Sequence, residues 1–402
     1  MKVLIIGAGL GGLCLAQGLR GSGIDVEVFE RRHDRTVDLQ GYGIHLNEAG
    51  CAALRASLPA AVWALIDERA GQAGATSGFY DQRLRRLTRI GNGAQGRRRS
   101  VGRSVLRDLL LTGLADDTVR WGKEFLRYEE LPNGQVRAHF ADGGHADGDL
   151  LVGADASNSR VRAQRLPQLR REDLGVISIA GRTAMTDEAT AGLPRAILDG
   201  TPNSVVPAGP GWMFVCTWSG GPADGPYVVW AYIGSRAGFP DGVEERSGTE
   251  LRDLVLSRIA TWSPALTTLV RHGDPGSVAP VVLRSMPRLE SWPSGNVTLL
   301  GDAAHNMTPM AGMGANTALR DAAALRRILL DVHAGHRALL AAVSSYEEEM
   351  RGWANAALAA SRRNAESAGT TNRLARGTFR VLLRVADRVP AVKKAVFERP
   401  SS

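Results

Sequence analysis

Val3 to Ile6 is a run of four apolar residues without a polar break, a pattern that predicts a strand buried on both faces of a parallel sheet. Leu10, Leu13, Leu15 and Leu19 then recur at helical spacing, Gly21 and Gly23 stop that helix, and Ile24 to Phe29 supplies a second strand. The first thirty residues therefore predict a βαβ unit. Residues 47 to 70 have a helical rhythm, residues 77 to 101 are arginine-rich and glycine-punctuated as in a hairpin excursion, and a further helix begins near Arg103 and runs through Leu106, Leu109 and Leu110. Short strands are expected from Val119 to Phe140, turning at Pro132-Asn133-Gly134, before the buried strand Leu150-Leu151-Val152.

Between residues 172 and 285 the pattern changes. Val176 to Ile179, Trp212 to Trp218, Tyr227 to Ile233 and Val281 to Leu283 are β-rich and separated by glycine and proline loops, which predicts an inserted sheet domain. Val297 to Leu300 reads as a strand of the first core again, and Ala315 to Leu330 and most of 336 to 398 read as helix. The expected fold is α/β: a Rossmann-like dinucleotide-binding domain from 1–75, 97–170 and 286–335, a β-sheet substrate domain from 76–96 and 171–285, and a C-terminal helical region at 336–402.

The chain has 402 residues, enough for two or three domains' worth of core. No stretch approaches the roughly 20 apolar residues that span a bilayer, and the N-terminal apolar run stops after four residues, too soon for a signal-peptide core. A cytoplasmic protein without a membrane span is expected. Cys14, Cys51 and Cys216 are odd in number and widely spaced, so neither a disulfide framework nor a metal site is predicted. Net charge is +8, almost all of it arginine. The dense cluster of Arg83, Arg85, Arg86, Arg89 and Arg97 to Arg99 lacks the interleaved aromatics that stack bases, so no nucleic-acid partner is expected. It reads as a solvated hairpin face, or as a field that attracts an anionic ligand such as a nicotinamide dinucleotide phosphate.

Three motifs carry chemistry. Gly7, Gly9, Leu10, Gly11 and Gly12 lie where the first strand turns into its helix, the context in which glycines permit a tight turn, close approach of a pyrophosphate, and helix-on-strand packing. Glu30 ends the second strand with Arg31 beside it; its carboxylate suits the two hydroxyls of an adenosine ribose and repels a 2′-phosphate, so FAD or NAD fits that place. In the late segment, Asp302 follows a buried strand and Gly301, positioned to hold a sugar-like hydroxyl. Gly312 and Gly314 open a helix whose free amides can stabilise negative charge. His305 reads as a hydrogen-bonding support under this loop.

Gly301-Asp302-Ala303-Ala304-His305, Pro309, Gly312-Met313-Gly314-Ala315-Asn316 and Asp321-Ala322 resemble the GD motif of the single-component FAD-dependent aromatic hydroxylases, the p-hydroxybenzoate hydroxylase-like group A flavoprotein monooxygenases. Asp155 to Arg162 looks like that family's DG motif, Arg103 to Leu106 like its FAD-contacting arginine at a helix start, and Gly41 to Leu46 like its flavin-side strand. The resemblance spans essentially the whole chain. It implies bound FAD, reduction by NADH or NADPH, capture of O2 as a flavin C4a-hydroperoxide, and hydroxylation of an aromatic or polycyclic molecule. Arg103, Asp155, Arg162, Ala315 and Asn316 would join the glycine motifs in holding the cofactor, with Pro309, Gly312 and Gly314 near the flavin ring and no side chain acting as a catalytic nucleophile. One departure is Ala156, where the family has glycine; a methyl group costs little unless the backbone there needs a positive φ or a very close ligand. NADH versus NADPH stays open at that position.

On the inserted sheet, Trp212, Phe214, Cys216 and Trp218 share one strand face, and Trp230 and Tyr232 do the same on the next strand. These aromatics pack as a sheet core or, with Met310, form the floor of a pocket for a planar apolar substrate. A tailoring step in natural-product biosynthesis fits that reading. Epoxidation, Baeyer–Villiger oxidation and a non-catalytic flavin-binding redox module are the alternatives, and the chain alone leaves monomer and homodimer equally open.

Overall fold

The computed structural model describes residues 1–34, 43–72, 74, 76–91, 99–218 and 225–397. Gly41, Tyr42, Arg97 and Arg98 lie outside the described residues. The chain divides into two compact units, one from Met1–Ala70, Arg103–Glu172 and Arg284–Arg362, the other from Gly71–Gly102, Asp173–Leu283 and Arg363–Ser402.

The first unit is built on a five-stranded parallel sheet in the order Val297–Leu299, Leu150–Gly153, Lys2–Ile6, Asp25–Glu30, Val119–Trp121. Its central strands are uninterrupted apolar runs because both faces are covered: Val3, Leu4, Ile5, Leu150, Leu151 and Val152 have no exposed surface. Helix Leu10–Leu19 packs against Gly314–His333, and Glu48–Ser57 packs against the same long helix. An antiparallel three-stranded sheet, His145–Gly148, Val136–Phe140 and Phe125–Glu130, belongs to this unit. The helix expected over 47–70 is two helices, Glu48–Ser57 and Ala60–Arg69. Pro59 explains the break, since the residue before a proline is driven out of the helical region and Leu58 is extended at φ −101°, ψ 148°.

The second unit holds a seven-stranded sheet in the order Ala279–Ser285, Glu172–Ala184, Tyr227–Ser235, Trp212–Trp218, Asn203–Val205, Thr76–Tyr80, Arg86–Gly91. Its pairings given in register are antiparallel except Asn203–Val205 with Thr76–Tyr80, which is parallel. Two helices absent from the sequence expectation, Gly248–Arg258 and Pro264–Arg271, contribute Leu251, Val255, Leu266 and Leu269 to the core that this sheet shares. The C-terminal helical region is three helices, Leu339–Gly369, Arg373–Arg388 and Pro390–Phe397, and Asn372 caps the second by accepting from the amides of Leu374 and Ala375. Among the described residues no helix is long and apolar enough to cross a membrane.

Candidate functional site

In the first unit, the glycine turn is shaped by backbone crowding. Gly7 sits at φ +113°, and a Cβ there would lie 2.4 Å from the Ala154 carbonyl oxygen; at Gly12 it would lie 2.2 Å from the Gly7 carbonyl oxygen. Neither position tolerates a side chain. At Gly11 a Cβ would meet Leu300 at 2.5 Å and Ala318 at 3.4 Å, which brings the turn alongside the 301–316 segment. Gly9 is different, with no atom within 4 Å of where its Cβ would be. The helix that starts at Leu10 has no side-chain cap, so the open space above Gly9 faces uncapped amides. Such an end favours an anion.

Glu30 reaches back to this turn. Its Oε2 accepts from the Ala8 amide at 2.9 Å and its Oε1 from the Arg32 amide at 3.1 Å, leaving each oxygen capacity for another donor. From the other side Arg107, buried and stacked over Trp121 at 5.3 Å, donates its Nε–H to the Ala8 carbonyl at 3.3 Å. Sequence reasoning missed Arg107, which stands one helical turn beyond Arg103. Arg103 and Arg31 are exposed.

Asp155 closes the start of helix Arg160–Arg165, its Oδ2 accepting from the amides of Arg160 at 2.7 Å and Val161 at 3.2 Å. Burial raises its carboxyl above the ordinary range against those hydrogen bonds, and its Oδ1 has no partner among the described residues. Ala156 adopts φ +64°, the left-handed conformation in which a methyl group is strained. Arg162 is buried and donates to the carbonyls of Ala303 and Ser157, both at 2.9 Å, so it ties this motif to the late one; burial holds its pKa below the ordinary value, with Asp155 opposing.

Beside it opens a cavity of about 460 Å³ lined by Arg162, Arg170, Arg171, Arg284 and Asn158. Arg171 bonds Asn158, and Arg170 donates to the Pro167 carbonyl at 3.1 Å, yet none of the four arginines is ion-paired among the described residues. Burial lowers the Arg171 pKa and the neighbouring Arg284 lowers it further. Asp302 offsets part of the charge on Arg162 and Arg171, and the guanidinium charge that remains around the cavity suits a phosphate.

The late segment is held from beneath. Asp321, wholly buried, accepts at Oδ2 from the Gly301 amide at 2.8 Å and the His305 Nε2–H at 2.6 Å, and at Oδ1 from the Trp353 indole at 2.8 Å. Burial works against a charged His305, but the facing Asp321 carboxylate overrides it and raises the imidazole pKa, with a smaller contribution from Asp302. His305 is the support the sequence suggested; the reach of Asp321 back to Gly301 was not foreseen. Asp302 opens the short helix Asp302–His305, and Asn316 is buried, donating to the His45 and Gly312 carbonyls and accepting from the Asn47 amide. Pro309 and Gly312 are exposed, Met310, Gly314 and Ala315 partly so, and helix Gly314–His333 begins without a side-chain cap.

The second unit corrects the single aromatic floor. Register pairs Met213 with Tyr232 and Val215 with Trp230, so Trp230 and Tyr232 lie on the sheet face opposite Trp212 and Phe214. Trp230 is fully buried in the core under the two unforeseen helices and donates its indole N–H to Thr183 at 3.1 Å; Tyr232 is a member of that same core. These two belong to packing. Trp212 instead clusters with Phe79 at 6.4 Å and Phe379 at 6.1 Å, beside a cavity of about 230 Å³.

A parallel α/β sheet with a glycine turn at its first strand's carboxyl end and uncapped helix starts beside it defines a dinucleotide-binding protein. The FAD binding domain family model matches residues 1–361, and the chain belongs to that family. It is 34% identical over 383 residues to the dual O-methyltransferase/FAD-dependent monooxygenase elcB of Phaeosphaeria nodorum, a match covering 84% of this chain and 41% of that protein. The chain thus spans under half the length of that relative. With the FAD-dependent monooxygenase thnD of Trichoderma harzianum it shares 31% identity over 355 residues, 82% of this chain and 83% of thnD. A solved structure from Photorhabdus luminescens subsp. laumondii TTO1, provisionally assigned as a FAD containing monooxygenase, is 46% identical with a TM-score of 0.86, covering 92% of this chain and 98% of its own.

Proposed function

We propose that this protein is a FAD-dependent monooxygenase that uses a nicotinamide dinucleotide and O2 to hydroxylate an aromatic or polycyclic small molecule. The observation that carries this reading is the open space over Gly9, next to Glu30 and alongside the 301–316 loop, in a chain of the FAD-binding family. The residues fit that cofactor. The uncapped amides after Gly9 would take its pyrophosphate, Glu30 its adenosine ribose, Asp302 a ribityl hydroxyl, and the amides at Gly314 and Ala315 negative charge near its ring. Pro309 and Gly312 would border that ring, while Arg107, Arg162, Asp321 and Asn316 hold the loops in place. Bound FAD supplies the electron and oxygen-transfer chemistry; the chain binds, orients and excludes water.

The four-arginine cavity supports a reductant that carries phosphates. The cavity beside the buried Trp212, with half-buried Phe214 on the same strand face, supports a planar apolar substrate, which suits a natural-product tailoring step. All three cysteines are buried and none is in a disulfide, and burial pushes the Cys14 and Cys216 thiols up to about 12, which fits a reducing cytoplasm.

Asp302→Ala tests the cofactor assignment. Losing one hydroxyl-to-carboxylate hydrogen bond should cost about 1.5 to 3 kcal/mol of FAD affinity, roughly ten- to a hundredfold in Kd. Titration of the apoprotein followed by flavin fluorescence reads this directly, and an unchanged Kd would remove Asp302 from the site.

A further inference from the structure

Helix Arg373–Arg388, in the second unit, has two faces with different neighbours. Arg376, Arg380, Leu383 and Ala386 are buried on one side. On the opposite side Leu374 is 83% exposed, Val381 55% and Val385 41%, and at 100° per residue these three fall within about 40° of one another. Arg373, Arg384 and Arg388 form a parallel stripe directly beside them. None of the three has an ion-pair partner among the described residues, and the nearby carboxylate of Asp387 is turned to Arg86 at 3.7 Å. The next helix, Pro390–Phe397, repeats the combination with exposed Lys394 and Val396.

We propose that this face docks on an anionic membrane surface. Charge decides between occupants. A second copy of the chain, paired about a two-fold axis through the stripe, would set Arg384 and Arg388 against their own equivalents with no free acidic residue among the described residues of the face to compensate. An anionic lipid headgroup layer compensates all of them at once, while Leu374, Val381 and Val385 enter the boundary between headgroups and acyl chains. The apolar stripe has only aliphatic side chains of modest size, so the association is peripheral, reversible and dependent on charge. It places the protein where an apolar substrate dissolved in a bilayer would be within reach, but it does not rest on the oxygenase reading.

The test is co-sedimentation of the flavin-loaded protein with vesicles of phosphatidylcholine alone or mixed with phosphatidylglycerol. Binding is expected to the mixed vesicles and to fall with added salt. The double variant Arg384→Glu/Arg388→Glu should bind at least about tenfold more weakly, and Val381→Asp/Val385→Asp should also lose binding. Both variants must keep the wild-type melting temperature and flavin content, since every substituted side chain is on the solvent face; Val381→Ala/Val385→Ala, a milder change, repeats the measurement if either melts early. Absence of wild-type binding to the mixed vesicles overturns the proposal, as does equal binding to both vesicle types. Sedimentation velocity showing a wild-type dimer that the Val381→Asp/Val385→Asp variant dissolves also overturns it, by assigning the face to a second copy.

Discussion

Ala156 is the residue at which local cost and function can be separated. At φ +64° its methyl group costs about 1–2 kcal/mol, and glycine would relieve this while giving back about 0.5–1 kcal/mol through a freer unfolded chain. Ala156→Gly should therefore stabilise the protein by roughly 0.5–1 kcal/mol in urea denaturation; a destabilised variant would show that neighbouring contacts of the methyl group outweigh the strain. The strain was not visible in the sequence, which records the departure from glycine and not the dihedral angle. His305 makes a pH-dependent contribution with a definite sign. Its pKa is raised in the folded protein by Asp321, so its stabilising effect is full below the unfolded value of 6.5 and is lost as pH rises through the higher folded value. The stability gap between wild type and His305→Gln should accordingly narrow across that window when melting is followed from acid toward neutral and alkaline pH. A gap that widens would contradict a charged His305–Asp321 pair.

At the scale of elements, the glycine turn separates binding from folding. Gly12→Ala forces a methyl group to 2.2 Å from the Gly7 carbonyl oxygen and should destabilise the apoprotein, whereas Gly9→Ala enters open space and should leave apoprotein melting unchanged while weakening FAD binding. Equal melting losses in the two variants would contradict the cradle. The βαβ start was legible because a strand buried on both faces leaves an unbroken apolar run, and Lys2–Ile6, Leu10–Leu19 and Asp25–Glu30 follow that run closely. Helices Gly248–Arg258 and Pro264–Arg271 were missed although their starts were written in the chain. Ser247 and Glu250 form a reciprocal capping box, and Pro264 follows Ser263 at the first helical position. The aromatic strands failed for another reason. Alternation fixes which residues share a face within one strand, but the register that sends Trp230 away from Trp212 is set by pairing between strands. Asp321 was named in the late motif, but its bond to the Gly301 amide was not legible for a similar reason, since the two meet only after the long helix has folded back.

For the whole molecule, a catalytic flavoprotein needs a cofactor cradle, an entry for reducing equivalents and an apolar place for substrate. In the proposed reading the first unit would supply the cradle at Gly9, Glu30 and 301–316 and, in its arginine-lined cavity, the entry, and the second would supply the Trp212–Phe79–Phe379 cluster. The proposed reaction is oxygen insertion into an aromatic or polycyclic ligand. Its most direct test incubates the FAD-loaded protein with NADH or NADPH and a panel of phenolic, indolic and polyketide ligands under ¹⁸O2, with products read by mass spectrometry. At least one ligand is expected to accelerate nicotinamide oxidation and to yield a product heavier by a single ¹⁸O atom. A protein that binds FAD yet gives no labelled product with any ligand, and no ligand-dependent nicotinamide oxidation, would contradict it.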